Sequence, residues 1–144
     1  MITSTKYKQL EDGTIIIEFP TKFPATNGPD GLLRMGPSKY AIKRNWWSKV
    51  IKELDIPPAP NPCILMSARF FAKQPLDADS AVSATKMPMD ALVHAGVLES
   101  DDLDHVVDNV ARQYKVATIK EEKTIIVLRP VLATDPTQRS EWPY

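Results

Sequence analysis

Apolar and polar positions alternate along this chain in blocks that predict its elements. Thr14 to Phe19 (Thr-Ile-Ile-Ile-Glu-Phe) is a β-branched run and predicts a strand buried on both faces. Pro20, Pro24, Gly28, Pro29, Gly31, Gly36 and Pro37 then mark a long irregular loop. From Ser38, a residue suited to capping, a helix is predicted to about Leu54, because Tyr40, Trp47, Val50, Ile51 and Leu54 recur at helical spacing. The stretch Pro57 to Pro62 is a stiff connector. Cys63 to Ala72 predicts a second strand, with Leu65, Ser67 and Arg69 on one face and Ile64, Met66, Ala68 and Phe70 on the other. A helical stretch from Ser80 to Val97 follows, kinked or broken at Pro88 and ended by Gly96. His105 to Thr118 alternates as a strand, and a charged turn at Lys120 to Lys123 leads into a last strand, Thr124 to Leu128. The order β-α-β-α-β-β predicts an α+β fold, a small mixed sheet packed with helices. Residues 1–132 read as one domain and 133–144 as a loose tail in which Trp142 and Tyr144 could dock.

Composition narrows the class without naming a function. With 144 residues, 43% hydrophobic and 25% charged, the chain can bury a core as a single globular domain. It has no apolar run near the roughly 20 residues a membrane span needs, and no leader-like start is read at Met1. The lone Cys63 excludes an internal disulfide and is read as a small apolar residue opening a strand. These features predict a cytoplasmic protein.

Net charge is zero, but its distribution is uneven. Between Gly31 and Lys52 every charged residue is basic (Arg34, Lys39, Lys43, Arg44, Lys49, Lys52), which makes that helix a candidate phosphate-contacting surface. Between Asp77 and Asp108 the charges are acidic except for Lys86. Asp77 and Asp79 flank Ala78; in an extended segment their side chains would converge, and a hard divalent cation such as magnesium would relieve their repulsion. A solvated turn, or Asp79 as a helix cap, is the plainer reading of the same pair. Asp79, Ser83, Lys86 and Asp90 share a helical face, so Lys86 pairs with Asp90 or stands beside a phosphate. Asp90 lies about 16 Å along a straight helix from Asp79, and Asp101 and Asp102 some 25 Å. These last two reach the same site only if the chain folds back at Pro88 or a second subunit supplies them. His94 and His105 read as surface or supporting residues.

The run from Asp77 to Val107, with its D-x-D, its lysine near a proline, Asp90-Ala91-Leu92, Gly96 and Asp101-Asp102, resembles the signature of the RusA family of Holliday junction resolvases. Phe23-Pro24-Ala25-Thr26-Asn27 is similar to that family's loop after its first strand. Ser80 stands where the family has asparagine, Ser83 falls where members with a shorter spacing have the lysine, and the basic stretch before D-x-D is reduced to Lys73 and Gln74. The resemblance implies a phage-type, homodimeric endodeoxyribonuclease that cuts four-way DNA junctions by paired nicks with Mg²⁺, for which Mn²⁺ could substitute. It implies Asp77, Asp79 and Asp102 as metal carboxylates with Asp101 as the adjacent alternative, and Lys86 as the essential lysine. Asn27, Arg34, Lys39, Lys43, Arg44, Lys49 and Lys73 would then face DNA. Flap or fork cutting, and a junction-binding dimer without catalysis, are the alternatives.

Overall fold

The computed structural model describes residues 4–26 and 31–131, so Asn27 and the 133–144 tail lie outside the described residues. Nine regular elements are present among them: β1 (Lys6–Gln9), β2 (Ile15–Phe19), α1 (Leu32–Met35), α2 (Pro37–Glu53), β3 (Cys63–Phe71), α3 (Ala78–Ser83), α4 (Lys86–His94), β4 (Val106–Lys115) and β5 (Lys123–Pro130). A 3₁₀ turn at Ile119–Glu121 leads into β5. The five strands form one mixed sheet in the order β1-β2-β5-β3-β4, in which only β3 and β4 run parallel. A parallel pair needs a long crossover, and α3 and α4 supply it. The α+β class expected from the sequence is the one observed.

Strand alternation decides which face carries the helices. Ile15, Ile17 and Phe19 of β2 are fully buried, whereas Ile16 and Glu18 are half-buried, so this strand is covered on one face and not on both. Register places Ile15 beside Leu128, and Leu128 beside Leu65, and all three are fully buried. Ile51 of α2 and Met87, Ala91 and Leu92 of α4 complete that core. Cys63, buried at the start of β3, is a core residue whose thiol is pushed up to about 11 by burial. The opposite face is also apolar along the rows Ile16, Val127, Met66, Val110 and Ile125, Ala68, with Phe70 stacked on Tyr114 at 5.3 Å. It is only half-covered, which is the geometry an antiparallel sheet tolerates better than a parallel one.

Two local departures from the sequence reading, at the start of α2 and at Pro88, have simple causes. Helix α2 starts at Pro37 rather than being capped by Ser38: Gly36 takes φ +84°, and proline at the first position gives up a donor that had no partner anyway. Trp47 joins Phe19 and Phe23 in edge-to-face contacts, and Trp46, 43% exposed, packs edge-to-face on Trp47 from outside. The expected kink at Pro88 is a break upstream of it. Pro88 is the third residue of α4, within the turn whose N–H groups have no helical acceptor. The bond it cannot donate would go to the carbonyl of Ala84, and the chain separates there into α3 and α4.

Helix α4 ends in a Schellman cap. The N–H of Gly96 donates to the Val93 carbonyl and the N–H of Val97 to the Leu92 carbonyl, each at 3.0 Å, with Gly96 at φ +84° and Val97 and Leu92 both buried. This cap reverses the chain and returns residues 97–105 alongside the helix they leave. A Cβ at Gly96 would meet no atom within 4 Å, so Gly96→Ala carries only the left-handed backbone penalty, about 1–2 kcal/mol. Urea denaturation should show that loss with an unchanged m-value; no loss would mean the cap relaxes.

Candidate functional site

The break between α3 and α4 opens onto the returning loop, and the two enclose a cavity of about 240 Å³. Ser83, Lys86, Asp90, Asp101 and Asn109 line it, with Thr26 from the loop after β2. A second depression of about 340 Å³ shares Asp90 and Asp101 and adds Arg44 and His94. Asp101 therefore comes back to the start of α4 within its own chain, through the Gly96 reversal, and no second subunit is needed to place it.

Each wall is fixed by a specific bond. Ser83 Oγ accepts the Thr26 N–H at 3.2 Å and donates to the Ser80 carbonyl at 3.0 Å, clamping the loop after β2 to α3. Thr85 Oγ1 donates to the Val82 carbonyl at 2.7 Å and accepts Asn109 Nδ2 at 2.8 Å, tying the helix break to β4. That chain of donors fixes the orientation of the Asn109 amide, and its buried Oδ1 is left with no partner among the described residues. Lys86 Nζ lies 3.4 Å from Asp90 Oδ2, and the same oxygen accepts a hydrogen bond from Tyr40 of α2. Burial and that bond both push the Tyr40 phenol above the ordinary tyrosine range.

Asp77, Asp79 and Asp102 are not among the residues lining this cavity. Asp77 is the N-cap of α3 in extended conformation and Asp79 is already helical, so the two-residue alternation that would make them converge does not apply. Asp79 lies one turn from Ser83 on the same face of α3, about 6 Å along the axis. Asp102 organises a turn: its Oδ1 accepts the Asp104 N–H at 3.1 Å and meets His105 Nδ1 at 2.6 Å, and its carbonyl accepts the N–H groups of His105 and Val106. The cavity carboxylate of the pair is therefore Asp101, presented by the turn that Asp102 holds.

The expected cluster of metal carboxylates does not form as a unit: among the described residues no group of three or more His, Cys, Asp or Glu side chains could hold a metal ion. Asp101 and Asn109 both line the cavity, and their carboxylate and amide oxygens are of the hard kind that Mg²⁺ takes together with water and phosphate oxygens. Asn109 escaped the sequence reading. Its one signal was a polar residue opposite Leu65, on the buried face of the sheet. Of the basic residues expected to face a polyanion, Arg34, Lys39, Lys43, Lys49 and Lys73 are exposed, while Arg44 joins Asp90 and Asp101 in the second depression.

No family model matches this chain, and no curated protein matches it. Similar solved structures include the periplasmic domain of Helicobacter pylori MotB, at 12% identity and TM-score 0.38, covering 89% of this chain and 88% of that one. Another is an outer membrane protein from Borrelia burgdorferi B31, at 10% identity and TM-score 0.35, covering 88% of this chain and 96% of that one. Neither is a nuclease or a DNA-binding protein by its description. The expectation of a junction-resolving endonuclease on branched DNA, with its flap-cutting and junction-binding alternatives, is corrected on that finding. At these identities and TM-scores, what those two proteins do is not carried to this chain.

His105 gives the returning loop a pH dependence. Its ring faces Asp102 at 2.6 Å and Glu99 at 3.5 Å, with Asp104 nearby, and the bond to Asp102 foremost raises the imidazole above its ordinary value. The same bond holds the Asp102 carboxyl below the usual range. A raised histidine stabilises the fold fully below its unfolded value, and this is lost as pH rises through the folded value. Melting temperature should therefore drop modestly between about pH 6 and about pH 8, and His105→Gln should flatten that drop. A wild-type profile already flat across this window would exclude the linkage.

Proposed function

We propose that the cavity between the α3–α4 break and the returning loop is the site of a magnesium-dependent phosphodiesterase. The observation that carries the reading is that Lys86, Asp101 and Asn109 line one opening, a cation and hard oxygen donors around the same cavity. Asp101 and Asn109 would hold the ion. When bound, Mg²⁺ supplies Lewis-acid stabilisation of phosphoryl charge and lowers the acidity threshold of a coordinated water. Lys86, 55% exposed at its side chain and anchored at one oxygen of Asp90, orients a phosphate oxygen and stabilises the charge that grows on it. Asp90 gives the partly exposed ammonium a partner at the cavity. Ser83 and Thr85 are committed to backbone carbonyls, so neither is free to act as a nucleophile, and water is the attacking group.

Hydrolysis of bis(p-nitrophenyl) phosphate tests this reading. Wild-type protein should turn over with Mg²⁺ or Mn²⁺ and stop with EDTA. Lys86→Ala and Asp101→Asn should each lower kcat by about 10²–10³-fold, the size expected when a group aimed at transition-state charge is removed. Asp101→Asn should also weaken Mn²⁺ binding measured by electron paramagnetic resonance, whereas Lys86→Ala should not. Turnover that survives EDTA, or a Lys86→Ala variant as active as the parent, would overturn the assignment.

A further inference from the structure

We infer that Tyr40 is a positioning residue for the cavity lysine, acting from α2 through Asp90. The inference rests on the reading of Lys86 given above. Tyr40 and Asp90 are fifty residues apart in sequence and come together where α2 packs on α4, and the phenol donates to Asp90 Oδ2. Lys86 Nζ contacts that same oxygen at 3.4 Å. One carboxylate oxygen thus receives a neutral donor from one helix and an ammonium from its own helix, one turn upstream.

The two partners are not equivalent. The phenol is carried on a side chain packed against the core, and its backbone N–H is fixed to the Gly36 carbonyl at 3.1 Å. The lysine is a flexible chain with its head in water. An exposed lysine–carboxylate pair four residues apart is weak alone, because solvent competes for both ends. By fixing Asp90, Tyr40 gives the ammonium a stationary partner, and by occupying part of Oδ2 it keeps the lysine from pairing so fully that it leaves the cavity. The charged and titratable groups that line the two depressions with Asp90 are Arg44 from α2, Lys86 and His94 from α4, and Asp101 from the returning loop. Of these, Lys86 is the one that pairs with Asp90, at 3.4 Å.

Tyr40→Phe removes the hydroxyl and keeps the packing ring, so it isolates this role. In the full chain, kcat for bis(p-nitrophenyl) phosphate should fall about tenfold with KM within about twofold, the signature of a misplaced group rather than lost binding. The ¹⁵N resonance of the Lys86 ammonium should move in the same variant, and its melting temperature should stay near that of the parent. Asp90→Asn should move the Lys86 resonance as well, and bring the tyrosine absorbance titration toward the ordinary range. Adding Tyr40→Phe to Asp90→Asn should then change neither kcat nor the resonance further, since a chain broken at its middle is not broken again at its end. An unmoved Lys86 resonance in Tyr40→Phe, or full additivity of the two substitutions, would overturn the inference. Absence of turnover in the wild type would instead overturn the phosphodiesterase reading, while the resonance and the absorbance titration would still decide the role of Tyr40.

Discussion

A backbone hydrogen bond that Pro88 cannot donate to Ala84 shapes everything around the cavity. With it, Ser80 to Val97 would be a straight helix, Asp79 and Lys86 would lie a full turn and more apart on one rod, and there would be no notch for a loop to close. Without it, α3 and α4 are separate short helices whose junction is held by side chains. Thr85 caps the carbonyl of Val82 and receives Asn109, so the break is pinned to β4 instead of being left to water. Short helices of six and nine residues would not persist alone. They persist because Ala81, Met87, Pro88, Ala91 and Leu92 are buried against the sheet.

The second reversal, at Gly96, completes what the first begins. A helix followed by an extended chain would carry Asp101 away from Lys86. The left-handed residue turns it back, and Val97 and Leu98 enter the core directly after the turn. The residues beyond are then fixed from two sides, by Cys63 donating to the His105 carbonyl at 2.8 Å and by the bonds Asp102 makes to its own turn. The Asp101 carboxylate is exposed, yet its backbone is bounded by a buried pair on one side and a hydrogen-bonded turn on the other. Such an arrangement places an oxygen without burying a charge.

Much of this frame could be read from the residues in order, and the failures share a cause. The β-branched run of Thr14 to Phe19 located β2 and the alternation of Cys63 to Ala72 located β3, each within a residue or two, and the apolar spacing of Tyr40 to Leu54 located α2. The edge strand β1, Lys-Tyr-Lys-Gln, has no such signature and exists only because β2 offers it a partner. Within the cavity, the Lys86–Asp90 pair was legible from its four-residue spacing. The arrival of Asp101 was legible only as a condition, a fold-back at Pro88, because the break and the reversal that bring it there have angles no spacing rule contains. Tyr40 looked like one more core position of α2, and Asn109 like a strand residue. A hydrogen bond across fifty residues leaves no trace in local periodicity.

The same contacts separate what holds the fold from what shapes the site. Asp90 is about one-fifth exposed at its side chain, too covered to rely on water alone and too open for its ion pair to add much stability. Replacing Tyr40, Asp90 and Lys86 by apolar side chains of similar size would sacrifice little folding free energy on that account, since partly screened pairs of this kind are worth about 1 kcal/mol or less. What such a replacement would remove is direction: a phenol from one helix fixing the carboxylate that fixes the ammonium of another. The core of Ile15, Leu65, Leu92 and Leu128 would form without them. On the phosphodiesterase reading, the network orients a cation at the cavity and adds little to what keeps the chain folded.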